Sequence, residues 1–518
     1  MSFISLQLQL HITFSPLILM ALLISLIIIL TLIWLTSLLM KMFSKKEQRM
    51  SLPPGPMGLP IIGSLPFLHP ELHTYFTFLS KSYGPIFSLR LGNKIVVVIS
   101  TPSLAQEVLK DKDTIFANRD VTIAGKVGFY GGSDILWSPY GPEWRMLRKI
   151  FVQEMLRGPM VDFFNEIRQR EVRKIVNSLW VRRMSPVDVG EEVFMTVLNS
   201  ITTVLWGDEM AEKSLGTEFR PFVEEINILL GTPNISDLIP CLSYFDLQGI
   251  ERKMKRLVKR FDKYFDWIID ERMREDDNNE KKDFLQVLLN LRKGAGDNKT
   301  PLTVTHLKSL LLDMVLGGAD STSNMVKFAL AEMMNYPHVM KKAQKELEVV
   351  VGIDNMVEES HLKILPYLYA IMKETLRLHP GVPLLSSRCP TETSIVGGYT
   401  IPKGARVFIN VWSIHRDPSI WEDPLKFDPE RFMSSKWDYS GKDLNYFPFG
   451  SGRRICPGIQ LGEKMFLILL ASLIHSFEWK VSQGEKVDLE EKFGLVLNKK
   501  NPLMAIPIPR LSNQAVYM

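Results

Sequence analysis

The sequence predicts a mainly α-helical fold with a minor β-sheet, set behind one N-terminal apolar helix. Three observations predict it. Helical apolar periodicity runs through most of the 518 residues. One stretch, residues 86–100 (IFSLRLGNKIVVVIS), alternates as a β-hairpin does, with Gly92-Asn93 at the turn. Residues 17–40 are almost wholly apolar and long enough to cross a bilayer.

No Lys, Arg, Asp or Glu occurs in residues 1–16, whereas Lys41, Lys45, Lys46 and Arg49 follow the apolar run at once. By the positive-inside rule, residues 1–16 form a short lumenal N-terminus, 17–40 a single transmembrane anchor, and the rest faces the cytoplasm. A cleaved signal peptide is the rival reading. The length of the span, the missing basic n-region and the bulky residues at its end argue against it. Residues 41–60 read as a basic and proline-rich linker ending in LPPGPMGLP, a stiff spacer, and 61–518 as one large domain. The charged runs 271–283 and 293–299 read as solvated loops. The sequons at Asn234 and Asn298 stay unglycosylated if they face the cytoplasm.

With 46% apolar and 23% charged residues the chain can bury a large core, and a net charge of +5 carries no nucleic-acid signal. Three cysteines, Cys241, Cys389 and Cys456, make no disulfide framework and fit a reducing compartment. Only Cys456 has the surroundings of a metal ligand. It lies in residues 447–458, FPFGSGRRICPG, which run directly into the apolar pattern IQLGEKMFLILLASLI. Gly450 and Gly452 permit a tight turn close to a flat ligand. Pro457 suits the first turn of a helix, whose N-terminus favours a thiolate at Cys456. Arg454 is placed to meet a haem propionate, and Phe449 to pack near the ring and the sulfur. The glycine spacing does not make a dinucleotide-binding G-x-G-x-x-G.

Residues Thr303–Asn335 read as one long helix stopped before Pro337, with LGGADSTS (Leu316–Ser323) at its middle. Two glycines followed by hydroxyl residues weaken a helix, which points to a packing or functional reason. Glu374 and Arg377 share one helix face, as do Trp144 and Arg148. His379 and His415 read as satisfied structural histidines.

These motifs together resemble the plant microsomal (A-type) cytochromes P450 over nearly the whole chain. The cysteine loop matches F-x-x-G-x-R-x-C-x-G, preceded in order by E-x-x-R at Glu374 and by FDPERF at 427–432. The resemblance implies a cytochrome P450 fold that holds haem b (iron protoporphyrin IX) through Cys456. It implies propionate contacts from Trp144, Arg148 and Arg388, and an Arg431 that reaches back to Glu374 and Arg377. LGGADSTS resembles the family's [A/G]-G-x-[D/E]-T, where helix distortion makes room for oxygen and water. Asp320 with Ser321 or Thr322 is then implied to relay protons to dioxygen. Ser321 stands where the family has threonine, keeping the hydroxyl but losing a methyl that helps fix its rotamer.

Thiolate ligation favours O–O cleavage, so the implied reaction inserts one oxygen atom into a C–H bond. Its electrons come from NADPH through a separate NADPH-cytochrome P450 reductase at the endoplasmic reticulum membrane, for which Arg145, Lys149 and Lys464 are candidate contacts. The strings YGPEWRMLRKIFVQEML, FDLQG, LLLDMVLGGADSTSN and PRLSN are similar to the group containing a cadinene-type sesquiterpene hydroxylase. A small hydrophobic terpenoid substrate is therefore expected. It would be lined by residues 121–135, 229–235, 312–319, 382–386 and 495–496, with Phe129 and Tyr130 among them. Two alternatives stay open: a phenolic, flavonoid or oxime substrate, and an electron-independent haem isomerase or dehydratase. A haem sensor or carrier has little use for an acid–alcohol pair above the iron.

Overall fold

The computed structural model describes residues 16–43, 51–208, 219–274, 283–294, 301–434, 437–481 and 486–518. The first described element is helix α1 (Pro16–Phe43), which contains the whole expected anchor. Its described apolar side chains stand exposed, Ile27 by 57% and Trp34 by 51%. The expected N-terminus 1–15 and the basic stretch 44–50 lie outside the described residues.

The hairpin forms in the expected register, with β1 (Ile86–Leu91) antiparallel to β2 (Lys94–Ile99). A third strand, β3 (Arg406–Ile409), joins β2 in parallel. The prolines before the hairpin are bonded to this sheet rather than held away from it: Ser88 donates its N–H to Pro54 O and its hydroxyl to Pro53 O, each at 2.7 Å.

Four helices approach the centre of the domain: α2 (Pro142–Ile150), α3 (Val189–Trp206), α4 (Phe219–Gly231) and α5 (Val304–Asn335). The sequence places the ends of α5 clearly. Thr303 and His306 cap it reciprocally, the Thr303 hydroxyl accepting from His306 N at 3.2 Å and His306 Nδ1 from Thr303 N at 3.1 Å. Pro337 opens the next helix. Two further helices, α6 (Pro366–Leu378) and α7 (Ile459–Ser476), complete the frame. By length and composition α7 also resembles a membrane span, but 67% of it is buried, so it is an apolar core helix.

Some local expectations change. Residues 271–274 are the last turn of the helix Ile250–Arg274, and Asp283 caps the helix Phe284–Lys293 by accepting from Gln286 N. Residues 275–282 and 295–299, including the second sequon's Asn298, lie outside the described residues. Asn234 of the first sequon is buried and caps a short helix with its side chain. Pro457 stands just before α7, whose cap is Gly458.

Glu374 of α6 is fully buried and holds two guanidinium groups. Arg377 donates to both its oxygens, at 2.7 and 2.9 Å, and Arg431 reaches back to it at 3.0 Å. Arg377 continues to the carbonyls of His415 and Pro424, each at 2.8 Å. Charge, donors and acceptors are matched, which is what makes a buried ion network tolerable. Glu374→Ala leaves Arg377 without a counter-charge and is expected to cost about 3–5 kcal/mol. Arg431→Ala, at the partly exposed rim, is expected to cost less, and thermal denaturation of the two variants checks the ranking.

Candidate active site

The cysteine loop is built by its glycines. Gly450 and Gly452 hold φ +75° and +71°, in the left-handed region. A Cβ on Gly452 would stand 2.2 Å from Leu109 O, so no other residue fits there. Cys456 N closes the loop by donating to Phe449 O at 3.0 Å. Cys456 and Phe449 both face a cavity of about 310 Å³. Burial pushes the Cys456 thiol up, against the N–H of Gly458 and the Arg148 guanidinium, which favour the thiolate. The helix terminus alone therefore does not ionise it, and metal ligation would supply the remaining drive.

Four arginines line the same cavity: Arg119, Arg148, Arg388 and Arg454. Arg454 donates to the carbonyls of Ala117, Ile135 and Ser138 at 2.8, 3.1 and 2.6 Å. Arg148 donates to Ile455 O at 2.5 Å. Trp144 does not line the cavity: its indole N–H donates to Ile135 O at 3.0 Å, and its ring lies 4.3 Å beneath the Arg454 guanidinium. Arg388 donates to Ser451 O at 3.0 Å, but its Nη1 is buried without a hydrogen bond, 3.6 Å from Asp113 Oδ1. Burial lowers all four, Arg388 to about 10 against the pull of Asp113, and neighbouring arginines add to burial at Arg119 and at Arg454, which falls to about 9. A cation cluster with an orphaned donor, set on the same cavity as a thiol, fits an iron porphyrin with its propionates at the arginine edge.

Arg119 was not singled out from the sequence. It is tied to the carbonyls of Leu136, Ser386 and Ser387 at 3.0, 2.7 and 2.9 Å. Lys464, a candidate partner contact, is already paired with Asp162 at 2.6 Å and Glu359 at 3.3 Å, whereas Arg145 and Lys149 are exposed.

The middle of α5 forms another wall. The helix runs through LGGADSTS without interruption. Room comes from Gly317, where a Cβ would meet nothing, while a Cβ on Gly318 would strike Ile201 at 2.6 Å. Ser321 donates to Gly317 O at 2.6 Å. Thr322 lines the cavity and approaches Gly462 of α7. Asp320 is buried and bonded by side-chain amides of Asn227, Asn324 and Asn498 at 3.0, 2.9 and 3.3 Å. Burial raises its carboxyl to about 6, against the pull of Lys327.

Each expected lining segment reaches the cavity, through Phe129, Leu230, Leu316, Val382 and Leu495 for instance. Tyr130 does not, and Ile201 and Asn227 are additions from the structure. A second carboxyl, Asp313, also lines the cavity and accepts from Ile135 N at 2.9 Å. Its neighbour Asp134 accepts the N–H groups of Leu136, Trp137 and Ser138 at 3.0 to 3.2 Å. Burial raises Asp134 to about 7, against its N–H donors and Arg454, and burial with the facing Asp134 raises Asp313, so the pair keeps a proton, assigned to Asp313 because Asp134 holds the N–H donors. An acid raised above its unfolded pKa of about 4 stabilises the fold fully below that value and loses the contribution as pH rises through the folded pKa. Stability should therefore fall through this pair as pH rises above about 4, Asp134 losing its share through about pH 7. Asp313→Asn, which keeps the bond from Ile135 N and removes the acid, is expected to flatten that fall in the denaturation midpoint.

Residues 53–506 match the family profile described as Cytochrome P450. The chain is 39% identical to a flavonoid 3'-monooxygenase (CYP75B137) of Crocosmia x crocosmiiflora, over 93% of this chain and 99% of that one. It is 38% identical to the geraniol 8-hydroxylase of Catharanthus roseus, over 93% and 98% of the two chains. A zebra fish cytochrome P450 solved with progesterone superposes with a TM-score of 0.73 at 25% identity, covering 85% of this chain and all of that one. The cadinene-type grouping is not among these likenesses. A thiol and an arginine edge on one cavity, under this fold and with these relatives, place the chain in the cytochrome P450 family as a haem-dependent plant monooxygenase.

Proposed function

We propose that the chain hydroxylates a small, neutral and largely apolar plant metabolite, in the first place a phenolic of flavonoid type. One observation carries the reaction: Cys456 and the Asp320–Ser321–Thr322 segment line the same cavity, whose other lining away from the arginine edge is mainly apolar. Bound through Cys456, haem would supply reductive activation of O2 and insertion of one oxygen atom into a C–H bond. The chain's own residues do the rest. Phe129, Val382 and Leu495 exclude water and hold the substrate, and Asp320 with a neighbouring hydroxyl moves protons from α5 into the cavity.

The substrate order rests on the relatives. Flavonoid 3'-monooxygenases recur among them, including that of Arabidopsis thaliana at 40% identity. The geraniol 8-hydroxylase keeps a terpenoid as the second reading. The apolar α1, followed by basic residues, is proposed as the membrane anchor that sets the domain beside NADPH-cytochrome P450 reductase.

Microsomes containing this protein and a plant reductase, offered a flavanone, a monoterpene alcohol and a sesquiterpene hydrocarbon, test the reading by mass spectrometry. An NADPH-dependent flavanone product heavier by one oxygen is expected. Product from the terpenoids alone would move the substrate class, and turnover without NADPH would establish an isomerase or dehydratase instead. Asp320→Asn is expected to slow product formation by about a hundredfold, the loss of a general acid–base group. Ser321→Thr restores the family's methyl and is expected to lower hydrogen peroxide release per NADPH consumed.

A further inference from the structure

We infer that Asn227 is a positioning residue: its amide latches the cavity roof to Asp320 in the ionised form, so that roof closure and the charge of Asp320 are linked. The inference rests on the proton-relay reading of Asp320. The roof consists of α4 and the hairpin formed by β4 (Glu491–Lys492) and β5 (Asn498–Lys499), whose tip carries Leu495 and Val496 over the cavity.

The orientation of the Asn227 amide is fixed by its partners. Val496 N donates to Asn227 Oδ1 at 2.7 Å, which turns Nδ2 toward Asp320 Oδ2 at 3.0 Å and Val496 O at 3.2 Å. Leu495 N adds a bond to Asn227 O at 3.3 Å. The two roof elements touch backbone to backbone nearby, since a Cβ on Gly231 would stand 2.5 Å from Gly494 C.

Asp320 thus meets three side-chain amide donors, two of them from outside its own helix: Asn227 from α4 and Asn498 from β5. None of the three presents an acceptor to it. A carboxylate suits that site, and a carboxylic acid leaves its proton without a partner. The surrounding charges are mixed. Lys327 on α5 favours the anion and Glu224 on α4 opposes it, while burial opposes it most. Lys327 is in turn lowered by Arg220 and by Lys499 of β5 and raised by Asp188. Linkage makes the coupling reciprocal: if the closed roof favours the anion, protonation of Asp320 loosens the roof. Each proton taken up for the reaction then weakens the latch over the product.

Hydrogen exchange of residues 491–499 in the holoenzyme, followed against pH by mass spectrometry, reads the latch without turnover. Wild-type protection is expected to fall below about pH 6, where Asp320 takes its proton. Asn227→Leu is expected to lose that pH dependence and to move the acid limb of turnover up by about one pH unit. Asn498→Ala, which leaves α4 untouched, should move the limb in the same direction. On an Asp320→Asn background, Asn227→Leu should shift the limb no further. Exchange that ignores both pH and Asn227 would overturn the latch alone, whereas wild-type turnover in Asp320→Asn would overturn the relay.

Discussion

The catalytic half of the molecule depends on one buried carboxylate, that of Glu374. It gathers Arg377, Arg431 and the N–H of Asp428, the last at 2.8 Å. Arg377 passes the connection to His415 O, and His415 Nε2 accepts the N–H of Phe447 at 3.1 Å. Phe447 O then accepts from Gly450 N at 2.9 Å, at the start of the turn that presents Cys456. The path works only with a neutral His415, which needs a free lone pair on Nε2. Burial, with Arg377 and Arg416 alongside, lowers His415 well below its ordinary value and keeps it neutral. A thiol on a glycine-rich loop would otherwise have many positions to choose from, so the rigidity has to come from behind the loop.

What was legible in the sequence was what local rules write. The hairpin turn, the start of the long helix near Thr303, the Pro337 stop and the glycine loop are signals spanning a few residues, and the structure places them where they were expected. The E-x-x-R pair was legible as a helix face, and its reach to Arg431 followed from the family order. Arg119 was not legible, because its reason for being there is a pair of carbonyls 267 and 268 positions away. Asn227 reads as one polar residue in the apolar run INILLG, and only folding brings Asp320 and Val496 to it. Trp144 was legible as buried but not in its use, which is to support Arg454 and bond Ile135. The substrate was least legible of all. Short strings pointed to a sesquiterpene group, whereas full-length relatives include flavonoid and geraniol hydroxylases. An apolar lining looks like any other core, so sequence carries its shape poorly.

Charges of both signs line the cavity, Glu463 of α7 among them. The arginines gather at one edge, while the acids Asp313 and Asp320 lie along α5. The arginines want a fixed anion, and burial without one lowers their affinities for protons. The acids are the reverse case, held by N–H donors and a nearby lysine while burial works against their charge. The arginines thus suit a permanent ligand and Asp320 a transient charge. A substrate between them meets mainly apolar side chains and has little electrostatic reason to prefer either.

The acid–alcohol pair shows how that transient charge must move. Asp320 is turned to the three amides of the roof and its own helix, and Ser321 returns its hydroxyl to Gly317 O. In this arrangement neither group delivers a proton to the Cys456 side of the cavity. Delivery requires the Ser321 hydroxyl to leave the carbonyl one turn back, a single χ1 rotation, and Asp320 to exchange at least one amide for the proton it passes on. Serine eases the first motion but controls it less than threonine, because no γ-methyl helps fix its rotamer. The amide clamp restrains the second. A relay loose at its hydroxyl and tight at its acid puts control of proton entry in the roof, where α4 and the C-terminal hairpin meet the substrate.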